Sequence, residues 1–183
     1  NPPYINFEGM KDSGGHAMPF SLAYLAGYLR EKIDCQIKIL DTEALCLDYE
    51  RIKEAIRKEQ PDLVGFTCLS PTVNHIFKIS KIIKKDLGFN SVIVAGGTHP
   101  TILPKEVLKN PYIDFAVIGE GEVTFYEIIK AIKEGRTDFE NIRGIYYKKD
   151  GRILNTPPRE FIANLDDIPF PARDLFDLKL HYS

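Results

Sequence analysis

The sequence of 183 residues is poor in cysteine and has no long apolar run. Its three cysteines are dispersed, with no CxxC or CxxxCxxC motif, which excludes a cysteine-based zinc or iron–sulfur site built by this chain alone. The most apolar stretch, Phe20–Leu29, is about half as long as a membrane-spanning helix. The polar start resembles no signal peptide and there is no N-x-S/T sequon. We therefore expect a cytoplasmic protein with no membrane partner.

An excess of charge of one sign is also lacking. The chain has 24 Lys and Arg against 26 Asp and Glu, a formal net charge of −2. Without an excess positive field, nucleic acid is not an expected partner. Hydrophobic residues at 44% and charged residues at 27% are close to globular averages, and the length suits one domain with its own core.

Between about residues 19 and 133, short β-rich runs alternate with amphipathic helical stretches. The apolar runs Asp62–Thr67 and Ser91–Gly96 predict central parallel strands buried on both faces, and Asp114–Gly119 ends the series. The alternating run Gln36–Asp41 predicts a strand near a sheet edge. Helical spacing of apolar residues is found between these runs, at Leu22, Leu25 and Leu29, at Ile52 and Ile56, at Ile76, Ile79 and Ile83, and at Phe125, Ile128, Ile129 and Ile132.

This alternation predicts an α/β fold with a doubly wound parallel five-stranded sheet, flavodoxin-like or Rossmann-like, and a ligand site at the carboxyl ends of the strands. The series begins with a helix near Phe20, and only the short run Tyr4–Phe7 before it could be a strand. We therefore expect that a central first strand precedes Asn1.

After Gly135 the pattern changes. The runs 142–148 and 152–154 flank Asp150-Gly151 and predict a β-hairpin. A proline-punctuated segment follows, which is typical of a linker. We therefore expect an α/β domain at 1–135, a hairpin extension at 136–160 and a linker at 161–183.

The linker carries an apolar strip that we expect to be partly exposed and to promote a homodimer; the alternative is that it folds back on the sheet. The residues of this strip are Leu165, Ile168, Phe170, Leu175 and Phe176.

Three loops at strand ends are rich in small or hydroxyl residues: 67–72, 96–101 and 119–122. Each precedes a helix, so backbone N–H groups and positive dipole ends meet at one edge of a parallel sheet. Glycines there allow close approach of a bulky or flat ligand. Each loop by itself is equally compatible with tight turns and helix caps, but three together favour a ligand crevice.

Six segments in order closely resemble the N-terminal cobalamin-binding domain of radical SAM enzymes, a family with methyltransferases and the anaerobic magnesium-protoporphyrin monomethyl ester cyclase. The resemblance implies that this domain holds cobalamin. It also implies, as a partner from the same parent chain, a following radical SAM barrel that binds S-adenosylmethionine and a 4Fe–4S cluster. The six segments are Asn1-Pro2-Pro3, Pro19–Leu29, Pro61–Gly65, Val94–Thr101, Gly119–Glu122 and Ile168–Asp174.

The resemblance also implies which residues bind the cofactor. Thr67, Cys68 and Leu69 occupy the Ser-x-Leu position, Gly96 and Gly97 match the Gly-Gly beside the nucleotide tail, and Gly119, Glu120 and Gly121 match the loop on the other side. Valine at Gly97 is then predicted to block the tail in a folded protein. The mouth would also be lined by Ser70, Pro71, Thr72 and Thr98, with His99 either contacting the tail or capping the next helix.

The sequence lacks the D-x-H-x-x-G motif that supplies a histidine to cobalt in cobalamin mutases, so we expect no protein metal ligand. His16, in a glycine-rich loop, is a candidate for the lower cobalt face, although a solvated side chain is the favoured interpretation. Glu120 and Glu122 could be paired acid–base groups, yet glutamates are favoured at helix N-termini in any case, and we expect no catalytic residue. Cys68 is expected to be a small buried residue.

Three functions therefore compete. The first is a cobalamin-binding domain whose parent performs methyl transfer or radical cyclisation. The second is a cofactor-free docking or substrate-recognition domain, favoured by the absent histidine motif. The third, a free-standing nucleotide or phosphate binder, is weakened because the chain has no G-x-G-x-x-G or Walker loop.

Overall fold

In a computed structural model of the protein, residues 18–181 are described. The predicted strand Tyr4–Phe7 and the loop that holds His16 lie outside them. None of the helices in this range is long and apolar enough to cross a membrane.

A five-stranded sheet forms the centre of the domain, in the order β1-β2-β3-β4-β5. The first three strands run parallel, whereas β4 is antiparallel to β3 and β5 is antiparallel to β4. The α/β class and the five-stranded sheet are thereby confirmed, with one correction: the sheet is mixed and not parallel throughout, because the predicted hairpin supplies its last two strands. The strands are β1 (Leu63–Thr67), β2 (Val92–Gly96), β3 (Phe115–Val117), β4 (Ile145–Lys149) and β5 (Arg152–Asn155).

Within residues 18–181, six α-helices accompany the sheet. Asp48 is the N-cap of α2, as its side chain accepts a hydrogen bond from the backbone N–H of Arg51 at 2.9 Å. A turn of π-helix at Ile82–Asp86 extends α3. The helices are α1 (Phe20–Lys32), α2 (Tyr49–Glu59), α3 (Val73–Lys81), α4 (Thr98–Ile102), α5 (Pro104–Lys109) and α6 (Glu122–Lys133).

The helices cover both faces of the sheet, as the doubly wound fold predicts. On one face, Ile52 of α2, Ile76 of α3 and Leu108 of α5 form a buried cluster with Ile93 of β2. On the other face, Leu29 of α1 and Ile128 of α6 cover Val94 and Phe115. Since neighbouring residues of β2 are buried on opposite faces, its continuous apolar sequence is explained.

The predicted strand Gln36–Asp41 is wrong as a strand, because no strand of the described chain pairs with it. Its alternation is nevertheless real. Ile37 and Ile39 pack into clusters on the α1 side, and Lys38 forms an ion pair with Glu59 at the end of α2. Period-two alternation therefore reports which face each side chain occupies, not whether the backbone is paired.

The segment beyond the hairpin divides into an exposed part and a part packed on α1. Leu165 is 68% exposed and Phe170 is 95% exposed, in agreement with the predicted strip. The expectation is wrong at Phe176, which is 9% exposed and packs with Met18 and Ala23. The backbone N–H of Ala172 donates a hydrogen bond to the Ala23 carbonyl at 2.9 Å. This bond holds the C-terminal segment against α1.

Candidate cofactor site at the carboxyl edge of the sheet

The three predicted loops follow the carboxyl ends of three neighbouring parallel strands. Thr67 ends β1 and pairs in register with Gly96, which ends β2. Residues 119–121 connect β3 to α6. The topology therefore brings all thirteen predicted site residues to one edge of the sheet.

The first loop turns two of its predicted site residues inward. Cys68 is fully buried, and burial raises the pKa of its thiol to about 12. The hydroxyl of Thr72 is also buried, accepting from the Leu69 N–H at 3.1 Å and donating to the Leu69 carbonyl at 3.1 Å. These two side chains hold the turn together instead of lining its mouth, which corrects the expectation for Thr72. Leu69 and Ser70 are exposed.

The second loop is packed against the first by its backbone. Gly97 has a φ of +102°, and a Cβ on it would lie 2.9 Å from the Cys68 carbonyl oxygen and 3.0 Å from the Cys68 nitrogen. Glycine is therefore needed here by the protein's own chain. A valine at Gly97 would therefore strain the protein's own backbone, so a loss of cobalamin in that variant would not by itself place the nucleotide tail at Gly97. By contrast, a Cβ on Gly96 would meet only ordinary contacts of 3.9 and 4.0 Å.

His99 lies in α4, buried between the first two loops. Its Nδ1 lies 3.0 Å from the hydroxyl of Ser70, and its backbone N–H donates to the Cys68 carbonyl at 3.1 Å. Its Nε2 is buried without a hydrogen-bond partner, 3.9 Å from a carboxylate oxygen of Glu106. Both ring nitrogens are thus occupied or enclosed, so the side chain supports the loops and does not reach outward.

The third loop is held from its outer side. A carboxylate oxygen of Glu120 accepts a hydrogen bond from the backbone N–H of Ile162 at 2.7 Å. Glu122 lies in the first turn of α6, where its charge favours the helix dipole. A Cβ on Gly119 would meet nothing within 4 Å, so this end of the crevice is open.

Exposed apolar side chains surround the crevice. Leu69 is 37% exposed and Ile102, at the end of α4, is 67% exposed. Phe20 begins α1 and is also exposed; beside it, the hydroxyl of Ser21 lies 3.4 Å from that of Thr67. The edge therefore combines open space beside Gly119, a pair of hydroxyls and exposed apolar side chains.

The same edge offers nothing for a protein-bound metal. Among residues 18–181, no three His, Cys, Asp or Glu side chains are grouped so as to hold a metal ion.

Two residues of this edge were not among the predicted site residues. Ser21 contacts Thr67 across the chain, and Thr101 bonds to both glycine loops. Thr101 had one sequence signal, its position as the fourth residue after the Gly-Gly pair, and Ser21 had none beyond its place in the resemblance.

The fold and this edge define an α/β cofactor-binding domain, and comparison with known proteins identifies its family. The B12 binding domain family matches residues 10–129. An uncharacterized methyltransferase of Pyrococcus horikoshii is 39% identical over 161 residues, covering 87% of this chain and 34% of that protein. The anaerobic magnesium-protoporphyrin IX monomethyl ester cyclase of Rubrivivax gelatinosus is 33% identical over 167 residues, covering 87% of this chain and 29% of that protein. The chain belongs to the B12-binding domain family.

Solved structures agree with this assignment. The radical S-adenosylmethionine methyltransferase TsrM from Kitasatospora setae matches with a TM-score of 0.67 and 25% identity, over 78% of this chain and 28% of that chain. The cobalamin-dependent S-adenosylmethionine radical enzyme OxsB shares the fold, with a TM-score of 0.77 at 20% identity over 93% of this chain and 24% of that chain. The present chain spans about a third or less of the length of these relatives.

Proposed function

We propose that this chain holds cobalamin at the carboxyl edge of its sheet, as the cofactor domain of a radical SAM enzyme that performs methyl transfer or radical cyclisation. The observation that carries the proposal is the meeting of two glycine-containing loops at the carboxyl edge in a chain of the B12-binding family, with open space beside Gly119. S-adenosylmethionine and a 4Fe–4S cluster would be bound by a radical SAM barrel of the same parent protein.

The chain's own residues would bind and orient the cofactor. Gly96 and Gly119 leave space for it, the hydroxyl of Thr67 offers a hydrogen bond, and Leu69 and Ile102 give apolar contact to a macrocycle. Cobalamin would supply the cobalt-centred chemistry of methyl transfer or radical cyclisation when bound. The Cys68 thiol is not expected to act as a nucleophile, since burial raises its pKa to about 12.

The lower face of cobalt is proposed to have no nitrogen ligand from residues 18–181. His99 is the histidine at this edge, and its imidazole is enclosed between Ser70 and Glu106. A His99→Gln variant is therefore expected to keep the wild-type visible spectrum of bound cobalamin. A shifted spectrum would assign a ligand role to His99.

The proposal is tested by loading the protein with hydroxocobalamin, desalting it and recording the visible spectrum. We expect the wild type to retain the corrin and Gly96→Leu to lose it while staying folded, because a Cβ at Gly96 would make only ordinary contacts, at 3.9 Å with Val117 and at 4.0 Å with Phe66. Ala55→Leu on α2, away from the edge, is the matched control and should retain the corrin. A wild-type protein that cannot be loaded, or equal retention in Gly96→Leu, would contradict the proposal.

A cofactor-free docking or substrate-recognition domain is the second candidate. It is favoured by the absent D-x-H-x-x-G motif. In that case the same edge would contact the parent's barrel directly, and the loading experiment would show no corrin for the wild type.

The exposed strip of the C-terminal segment is proposed to contact the rest of the parent protein. Phe161 is 82% exposed and, together with Leu165 and Phe170, faces outward. Without that contact, the strip is expected to promote a homodimer of this chain. Sedimentation of the wild type and of a Phe161→Ser, Phe170→Ser double variant tests this, the variant being expected to remain monomeric.

A further inference from the structure

The short helix α4 is bonded to all three loops of the edge. Through His99 it contacts the first loop, at the Cys68 carbonyl and the Ser70 hydroxyl. Through Thr101 it contacts the other two. The Thr101 hydroxyl donates to the Gly97 carbonyl at 2.8 Å and accepts from the Gly119 N–H at 3.1 Å. One side chain therefore joins the two glycine loops.

The two bonds of the Thr101 hydroxyl are not equally replaceable. The Gly97 carbonyl also accepts from the backbone N–H of Thr101 at 3.2 Å, so it keeps a partner when the hydroxyl is removed. The Gly119 N–H has the Thr101 hydroxyl as its partner, and Gly119 is exposed at a φ of +71°. Removing the hydroxyl thus releases the third loop on its inner side and leaves the first and second loops joined.

Thr101 contributes little to the core. It is exposed, near the end of a helix of five residues, and belongs to none of the buried apolar clusters. An exposed side chain that makes a hydrogen bond between two loops contributes little to the free energy of unfolding. It does fix the position of one loop relative to the other.

We propose that Thr101 is a positioning residue of the cofactor site, which fixes the Gly119–Gly121 loop against the Gly96–Gly97 loop. This inference rests on the proposed function, because the crevice between these loops is where cobalamin is placed. Thr101 itself need not touch the cofactor. It acts through Gly119, where a Cβ would meet nothing within 4 Å.

The test compares Thr101→Val, which keeps the shape and removes the hydroxyl, with Thr101→Ser, which keeps the hydroxyl. In Thr101→Val we expect faster hydrogen exchange at the Gly119 amide, measured by NMR without cofactor. We also expect about fivefold weaker affinity for hydroxocobalamin, the size expected for one hydrogen bond. Thr101→Ser should keep the wild-type exchange rate at Gly119 and the wild-type affinity for hydroxocobalamin. The midpoint of urea unfolding should stay unchanged in both variants. Thr137→Val, the same exchange at an exposed position away from the edge, should alter none of the three.

The outcomes separate this inference from the proposed function. If the wild type binds hydroxocobalamin and Thr101→Val binds equally well, or if Thr101→Ser does not rescue binding, the positioning role is overturned. It is also overturned if affinity and the unfolding midpoint fall together, since that is a purely structural effect. If the wild type binds no hydroxocobalamin while Gly119 exchange still depends on the hydroxyl, the proposed function fails and the contact between the loops stands.

Discussion

A Cβ on Gly97 would lie 2.9 Å from the carbonyl oxygen of Cys68, closer than protein side chains approach. The first two loops of the carboxyl edge are therefore packed against each other at the backbone, with no room between them at this point. The neighbouring Gly96 has no such restriction, as its nearest contacts would be 3.9 and 4.0 Å away. The two adjacent glycines thus have different roles, one in the fold and one beside the open crevice.

Gly97→Ala is expected to lower the free energy of unfolding by about 2 kcal/mol, because it combines a backbone clash with a φ of +102° that alanine rarely adopts. Urea unfolding followed by circular dichroism measures the loss. Gly96→Ala is the matched control and should stay within about 0.5 kcal/mol of the wild type. Similar losses of unfolding free energy in the two variants would contradict the different roles assigned to Gly96 and Gly97.

Of the three cysteines, the buried Cys68 is expected to react slowly with a thiol reagent. Its thiol is fully buried and its pKa is raised to about 12 by burial, whereas Cys35 and Cys46 are exposed. Reaction of the native protein with Ellman's reagent should release two equivalents quickly. The third should appear only when urea is added. Cys68→Ala should remove the slow phase and leave the fast one, and three fast equivalents in the wild type would contradict the burial of Cys68.

The packing of the C-terminal segment on α1 can be measured with two phenylalanines. Phe176 is 9% exposed and contacts Met18 and Ala23, while Phe170 is 95% exposed. Phe176→Ala is expected to lower the free energy of unfolding by about 3 kcal/mol. Phe170→Ala should change it by less than about 0.5 kcal/mol. Equal effects would mean that the segment does not return to α1.

The C-terminal segment also shows which contacts the sequence pattern does not predict. The prolines around Ile168 correctly predicted a backbone outside α-helices and strands; short 3-10 turns lie on either side of them, at Leu165–Asp167 and Arg173–Leu175. They carry no information on what covers Phe176, because its packing depends on Ala23, far away in the chain. Gly27 is a further case. A side chain there would overlap the Phe170 carbonyl, and nothing in the helical pattern of α1 marks that contact.

Elements with a strong local signal were predicted well. The apolar run of β2 is buried on both faces, and the Asp150-Gly151 turn has both residues at positive φ, 51° and 72°, as its sequence indicates. The candidate site was predicted at the level of loops, since parallel strands place their carboxyl ends together. The hydrogen bonds within the site were not predicted, because contacts such as that of Thr101 with Gly119 depend on how loops that are separate in the sequence approach each other.

The last prediction concerns pH and the contact between α2 and α3. His75 of α3 is hydrogen-bonded through Nδ1 to the hydroxyl of Tyr49 at the start of α2, and Lys78 lies with its Nζ 3.6 Å from the centre of the Tyr49 ring. Burial, and secondly the nearby charge of Lys78, lower the pKa of His75 below its ordinary value of 6.5.

Because the folded protein binds this proton less tightly than the unfolded chain, the contribution to stability is present above pH 6.5 and is lost as the pH falls through that value towards the lower folded pKa. We therefore expect the free energy of unfolding to decrease between about pH 7.5 and about pH 5.5, and His75→Gln to have a flatter profile over the same range. The difference between the two urea-unfolding series isolates His75 from the other histidines. Lys78→Gln should reduce the dependence on pH without abolishing it, since burial is the larger cause. A difference between wild type and His75→Gln that does not change with pH would show that His75 keeps its ordinary pKa in the folded protein.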